Sequence, residues 1–261
     1  MSASRFLCNR ATALSFLLIA QLSVLPSSGQ AIQGQNANGV LGQSATAFSS
    51  GSVVQQVQMT GTATWNAGSL QDSGTVSLTA STGGSSQMRL DLSSLGRKTE
   101  TQTGAGESAD CQWAGADAVV HEVDITNCWR PALWFLPVLS LQPSLLPNYL
   151  GVVDLGTGTV GSGTQVYRHL QSQLIFSDLT SPLATKVTQM SITDLGLDPT
   201  SLLPAVLTYS IHSDDGTSTP IAIEIHYSNY QTVNGVQIPF LIERYLNGSL
   251  QLAIKIGRAH V

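Results

Sequence analysis

Scattered histidines, one cysteine pair and one glycine-rich run are the parts of this chain that could carry chemistry. His226 follows Glu224 by two residues in "IAIEIHYSN". In an extended strand both side chains point the same way, the spacing of half an acid–base or metal pair. Solvated neighbours on a strand share that spacing. His121 falls in "DAVVHEVDIT", where Val119, His121, Val123 and Ile125 alternate onto one side, and a hydrogen-bonded core histidine fits that apolar face. His212 precedes Asp214-Asp215-Gly216 and reads as a wet turn, and His169 completes the set. None has the H-E-x-x-H spacing of a zinc site, and Asp-Asp-Gly lacks the alternating oxygen ligands of a calcium loop. "GTGTVG" at 156–161 matches G-x-G-x-x-G, but "SGTQVYRHL" follows it. Those are strand formers, and without a helix N-terminus nothing holds a pyrophosphate. G-x-S-x-G is absent, so a nucleophile elbow gains no support. The expectation is no catalytic residue, no cofactor and no metal, with a hydrolase built on His226 and Glu224 the least favoured reading.

The cysteines depend on compartment. Arg5 and Arg10 precede the apolar run "ATALSFLLIAQLSVL"; Pro26 ends it, and Gly29 and Ala31 supply small residues. That order is the pattern of a secretory signal spanning 1–31, and the run is too short for a membrane span. The chain is therefore expected to be exported, to a periplasm or the extracellular space, with no membrane span once the signal is removed. Of the three cysteines, Cys8 lies in the signal, which leaves Cys111 and Cys128. An even pair in an oxidising compartment is expected to form a disulfide. Two cysteines without a nearby histidine pair make no zinc site.

Only 10 % of the residues are charged and 42 % are hydrophobic, which excludes disorder over the whole chain. The closing "IGRAHV" matches the translation of a common sequencing-library adapter and interrupts an alternating pattern after Lys255. Residues 256–261 are accordingly expected to be a non-native tail. Removing Arg5, Arg10 and Arg258 from the 11 basic residues, against 16 acidic ones, moves the formal net charge from −5 to −8. An acidic surface of this kind disfavours nucleic acid and anionic headgroups.

These side chains must be carried mainly by strands. Residues 32–52 are rich in Gln, Asn, Gly and Ser without a sustained period and read as a flexible lead-in. A single β-rich domain is expected over 53–255. "SQMRLDLSSLG" places Met88, Leu90 and Leu92 on one face; "RKTETQTG" is polar throughout and reads as an edge or solvated strand; "LATKVTQMSITDLG" reads as a strand. Residues 129–155 differ, being the most apolar stretch, with Pro131, Pro137, Pro143 and Pro147. Prolines so frequent exclude one long helix, so short broken helices are expected. From Ile221 the alternation is sustained, through Asn234-Gly235, then Val236, Ile238, Phe240 and Ile242, then Asn247-Gly248 and Leu250, Leu252 and Ile254. Both Asn-Gly pairs read as two-residue hairpin turns, giving a three-strand antiparallel meander with one apolar face. Pro239 marks a bulge or a locally unpaired edge.

The meander "IHYSNYQTVNGVQIPFLIERYLNGSLQLAIKI" resembles the last strands of periplasmic lipoprotein-carrier-like (LolA-like) domains, with Tyr230, Val233, Gly235, Val236 and Pro239 at the matching positions. The resemblance implies a mainly β (α+β) fold in which a bent antiparallel sheet, an incomplete β-barrel, wraps helices that plug its apolar concave face. The residue pattern leads to a similar picture, because a one-sided apolar sheet needs a cover and 129–155 is the segment apolar enough to supply it.

A gap between sheet and cover would bind an apolar ligand by burial of its surface. Its lining is expected from Trp129, Leu133, Trp134, Phe135, Leu136 and Leu139 of the cover, and Ile238 and Phe240 of the meander. The leading reading is an exported, non-catalytic binding domain for a lipid or other apolar small molecule. The alternative is a structural or protein-interaction module of the cell envelope, docking a protein partner on an exposed strand edge.

Overall fold

The computed structural model describes residues 35–104, 109–128, 134–139, 150–175, 182–213 and 216–261. Helix α1 (Gln35–Ser49) leads into β1 (Gln56–Ala67), β2 (Leu70–Ser81), β3 (Ser86–Leu92), β4 (Gly96–Thr103), β5 (Asp110–Ala114) and β6 (Val120–Glu122). A short α2 (Ile125–Cys128) and a 3-10 turn (Pro137–Leu139) follow. Then come β7 (Leu150–Thr159), β8 (Val166–Leu174), α3 (Pro182–Met190), β9 (Thr193–Leu197), β10 (Pro204–Ser213), β11 (Gly216–Val233), β12 (Val236–Leu246) and β13 (Ser249–His260).

The 13 strands of the described residues join one antiparallel sheet in the order β6-β5-β4-β3-β2-β1-β13-β12-β11-β10-β9-β8-β7. Two meanders, β1–β6 and β7–β13, are sewn together where β1 pairs with β13. Inward positions alternate with outward ones, as in Val57 and Met59, Val76 and Leu78, Met88 and Leu90, Ile223 and Ile225, or Leu252 and Ile254, all buried in one core. The expected mainly β, bent and incomplete barrel is the fold seen.

The turns follow from the residues at them. Asn234 and Gly235 have φ of 49° and 83°, and Asn247 and Gly248 have 45° and 79°, the left-handed pair that matches strand twist in a two-residue hairpin. At the β1–β13 seam the register shifts between Thr60 and Gly61, and a Cβ on Gly61 would stand 2.0 Å from the Lys255 carbonyl oxygen. Pro239 sits opposite Tyr230, while β12 pairs with β13 over Leu241–Leu246. Its missing N–H therefore falls on the locally unpaired side of β12.

The concave face is covered by α1 and the 134–139 segment. Phe135, Leu136, Val138 and Leu139 are buried in the core, and α1 packs against β7, β12 and the 3-10 turn. Residues 129–133 and 140–149 of the expected cover lie outside the described residues. Helix α1 corrects the flexible lead-in expected over 32–52. Ala37, Val40, Leu41, Ser44 and Phe48 are buried along one stripe, at the i, i+3, i+4, i+7 spacing of an amphipathic helix. Gly and Asn lower its intrinsic propensity, so the sheet beneath supplies its stability.

Other expectations are corrected as well. Helix α3 replaces the strand read over its β-branched residues, with Pro182 at its first position. Polar β4 is no edge, because β3 and β5 flank it; among the described residues the edges are β6 and β7. The break expected at Lys255 is not seen. Strand β13 runs to His260, Ala259 pairs with Met59, and Ile256 and Ala259 are buried. Strand β1 outruns β12 and offers those residues a partner, with Gly257 absorbing the bulge.

Candidate functional site

The two arms of the sheet curl until their inner faces meet. Cys111 on β5 is joined to Cys128 at the end of α2, with an S–S distance of 2.06 Å and a Cα–Cα distance of 5.6 Å, as expected for that pair. The bond lays α2 over the inner face of β5. From there Asn127 reaches β10: its Nδ2 donates to the His212 carbonyl at 2.6 Å, and its Oδ1 accepts from the His212 N–H at 2.9 Å. Strands β5 and β10 are eight places apart in the sheet order, so α2 is a clasp between the arms.

Beneath the clasp lies a cavity of about 560 Å³, within the range of small-molecule sites. Met88, Phe135, Ile211, Ile221, Ile223 and Leu246 make its apolar wall. Its polar centre is Arg244 on β12, whose side chain is 9 % exposed. Nη1 and Nη2 each donate to one oxygen of Glu100 on β4 at 3.2 Å, and Nε donates to Gln251 Oε1 at 3.0 Å. The guanidinium carbon lies 4.7 Å from the centre of the Trp134 ring and 6.0 Å from that of Trp65, within cation–π reach. Burial works against the charge, but the Glu100 carboxylate outweighs it and holds the Arg244 pKa above its usual value. A second polar atom, His212 Nδ1, is shut from water and has no hydrogen-bond partner among the described residues, on a residue that lines the same cavity.

Comparison with solved structures places this architecture. A putative outer membrane lipoprotein-sorting protein domain from Vibrio parahaemolyticus superposes with a TM-score of 0.54 at 8 % identity, covering 86 % of this chain and 92 % of its own. A LolA superfamily protein from Nitrosomonas europaea gives 0.51 at 11 % identity, covering 86 % and 93 %. The fold is LolA-like. A DUF1329 family protein from Desulfovibrio piger shares it, with a TM-score of 0.53 at 10 % identity over 86 % of this chain and 91 % of its own. No protein-family model and no curated protein sequence matches the chain.

In this LolA-like fold the residues expected to line a ligand groove divide. Trp134 and Phe135 line the cavity. Leu136, Leu139 and Ile238 are buried in the core, and Phe240 is half-buried against it. Trp129 and Leu133 lie outside the described residues. The sequence reading missed Arg244, Glu100 and Asn127, and it took His212 for part of a wet turn, whereas His212 lies in β10 with its ring Nδ1 buried. One signal was available: Arg244 continues the inward parity of Val236, Ile238, Phe240 and Ile242, and a charge on that face needs a partner.

The remaining candidates have structural work. On the outer face Glu224 accepts from His226 Nε2 at 2.6 Å, from the Ser162 N–H at 2.8 Å and from Ser162 Oγ at 3.1 Å. Burial opposes its charge, and these donors hold its pKa below the usual value. The serine donates to the carboxylate, not to the histidine, so the trio fastens the β7–β8 loop to β11. His169 is paired with Asp194 at 2.8 Å. His121 is not a core histidine; it is exposed on β6 and stacks on Trp113 at 4.2 Å. The Gly-rich run falls in β7 and the turn after it, with no helix to receive a phosphate. Among the described residues no group of three His, Cys, Asp or Glu side chains could hold a metal, and no helix is long and apolar enough to cross a membrane.

Proposed function

We propose that the chain is an exported, non-catalytic binding domain that holds an apolar small molecule of acyl type on its concave face, under α1 and the 134–139 segment. The cavity of about 560 Å³ beside Trp134 and Phe135 carries this reading, and the shared fold of a putative lipoprotein-sorting domain agrees with it. The signal-like order of residues 1–31 supports export. Burial of an acyl chain there contributes about 0.8 kcal/mol per methylene. The ligand-lining role extends from Trp134 and Phe135 to Trp129, Leu133 and Phe240, with Leu136, Leu139 and Ile238 as the floor behind them. Native mass spectrometry of cell-purified protein tests the reading: a co-purified lipid-like mass that an added acyl probe displaces supports it, and repeated purification without such a mass or displacement opposes it.

A second reading rests on the β6 edge. Val119 and Val120 are 51 % and 59 % exposed there, with Trp113 of the neighbouring β5 44 % exposed, beside the outer backbone groups of β6, which pair with no other described strand and are able to add a partner's strand. Cross-linking to one envelope protein, from a chain that binds no acyl probe, would favour this interaction module.

A further inference from the structure

We propose that the ligand of the concave cavity carries an anionic head group, and that this head takes the place of Glu100 on Arg244. The inference rests on the apolar-ligand reading and adds the chemistry of the ligand's polar end.

Three observations carry it. First, the partners of the bridge are unequally buried: the Arg244 side chain is 9 % exposed and that of Glu100 37 %. Glu100 can turn outward into water, whereas Arg244 is confined by Trp134 and Gln251. Second, the bridge crosses the concave face, joining β4 to β12 along the wall of the cavity. An acyl chain lying on that face meets it. Should the arms part to admit an uncharged molecule, Arg244 would be left buried without a counter-charge, which is strongly unfavourable. An anionic molecule supplies the missing charge, and the planar guanidinium offers paired donors to either a carboxylate or a phosphate. Third, His212 Nδ1 has no hydrogen-bond partner among the described residues, and Asn127 holds both the N–H and the carbonyl of that residue. It gives the head group a second polar contact in the same cavity. The exchange is of one anion for another on a fixed cation, so the barrel gains a ligand without stranding a charge.

Isothermal titration of the full chain with 1-decanol, decanoate and decyl phosphate decides the matter, using wild type, E100Q and R244M. With its internal competitor gone, Arg244 in E100Q should raise the preference for the anionic probes over 1-decanol by about tenfold, the scale of one charge-assisted hydrogen bond. In R244M the preference should vanish while 1-decanol still binds. The tighter of decanoate and decyl phosphate tells whether the head is a carboxylate or a phosphate. If 1-decanol binds and the preference is the same in wild type and E100Q, the head-group inference is overturned and the apolar-ligand reading stands. If no probe binds either protein, both are overturned. Should R244M fail to fold, the wild-type and E100Q pair decides alone.

Discussion

Glu100 and Arg244 meet at 3.2 Å although five interstrand steps separate β4 from β12. In a flat sheet those steps would place them about 24 Å apart, at about 4.8 Å per strand. The bridge is therefore a direct measure of how far the sheet curls, and its stability should report on the curl. Replacing Glu100 by Ala leaves a buried guanidinium without its counter-charge. A loss of about 2 kcal/mol in urea unfolding is expected, below the 3–5 kcal/mol of a fully buried pair because Glu100 keeps some contact with water. The double variant E100M/R244M should lose less than the single variants E100M and R244M lose together. Strict additivity would mean that the contact contributes nothing.

The clasp over β5 can be opened chemically. Changing both Cys111 and Cys128 to Ser removes a cross-link spanning 17 residues and should cost about 3 kcal/mol. Amide exchange should rise at Cys128 and at His212, whose N–H is held by Asn127. Faster exchange at Cys128 with His212 unchanged would show that Asn127 bridges the arms without help from the disulfide.

Much of this arrangement was legible from the residues alone. Asn234-Gly235 and Asn247-Gly248 announce their turns because few other residues accept those backbone angles, and the alternation between them fixes which side chains face inward. Residues 35–49 hid their helix, because Gly39, Gly42 and the Asn residues suppress propensity and the stripe becomes visible only against a sheet. The polar run holding Glu100 looked like a solvated edge for a related reason. Its inward residues Glu100 and Gln102 line a cavity, where polar groups are tolerated because they are partnered or wet. Pairing between Glu100 and Arg244 crosses 144 positions of sequence, and no local pattern encodes a contact that only the curl of the sheet creates.

Asp72 gives the fold an acid-sensitive point. Its carboxylate accepts from Ser93 Oγ at 2.6 Å and from the N–H groups of Leu95, Ser94 and Ser73 at 2.7, 2.8 and 2.8 Å. The Ser93 hydroxyl first, then these amides, lower its pKa from 3.8 to about 2. A pKa depressed in the folded state stabilises above the unfolded value and ceases to do so as pH falls through the folded one. Wild type should therefore lose stability relative to D72N as pH drops from 3.8 towards 2. Parallel urea midpoints for the two proteins over that interval would contradict the assignment.

The seam between the meanders should tolerate no side chain. G61A places a Cβ against the Lys255 carbonyl and is expected to be more damaging than G235A, which forces Ala into a left-handed turn at a cost of about 1–2 kcal/mol. Thermal melting of both variants gives the order; equal melting points would show that the β1–β13 register yields more easily than its geometry suggests.

Whether the concave face holds an apolar molecule is settled most directly by titrating the chain with decanoate, beside the variant I211W, whose indole intrudes into the cavity from β10. One molecule of decanoate should bind per wild-type chain and at least about tenfold more weakly to I211W, with both proteins melting as folded domains. Equal binding to both, or binding to neither, would contradict a ligand site on the concave face.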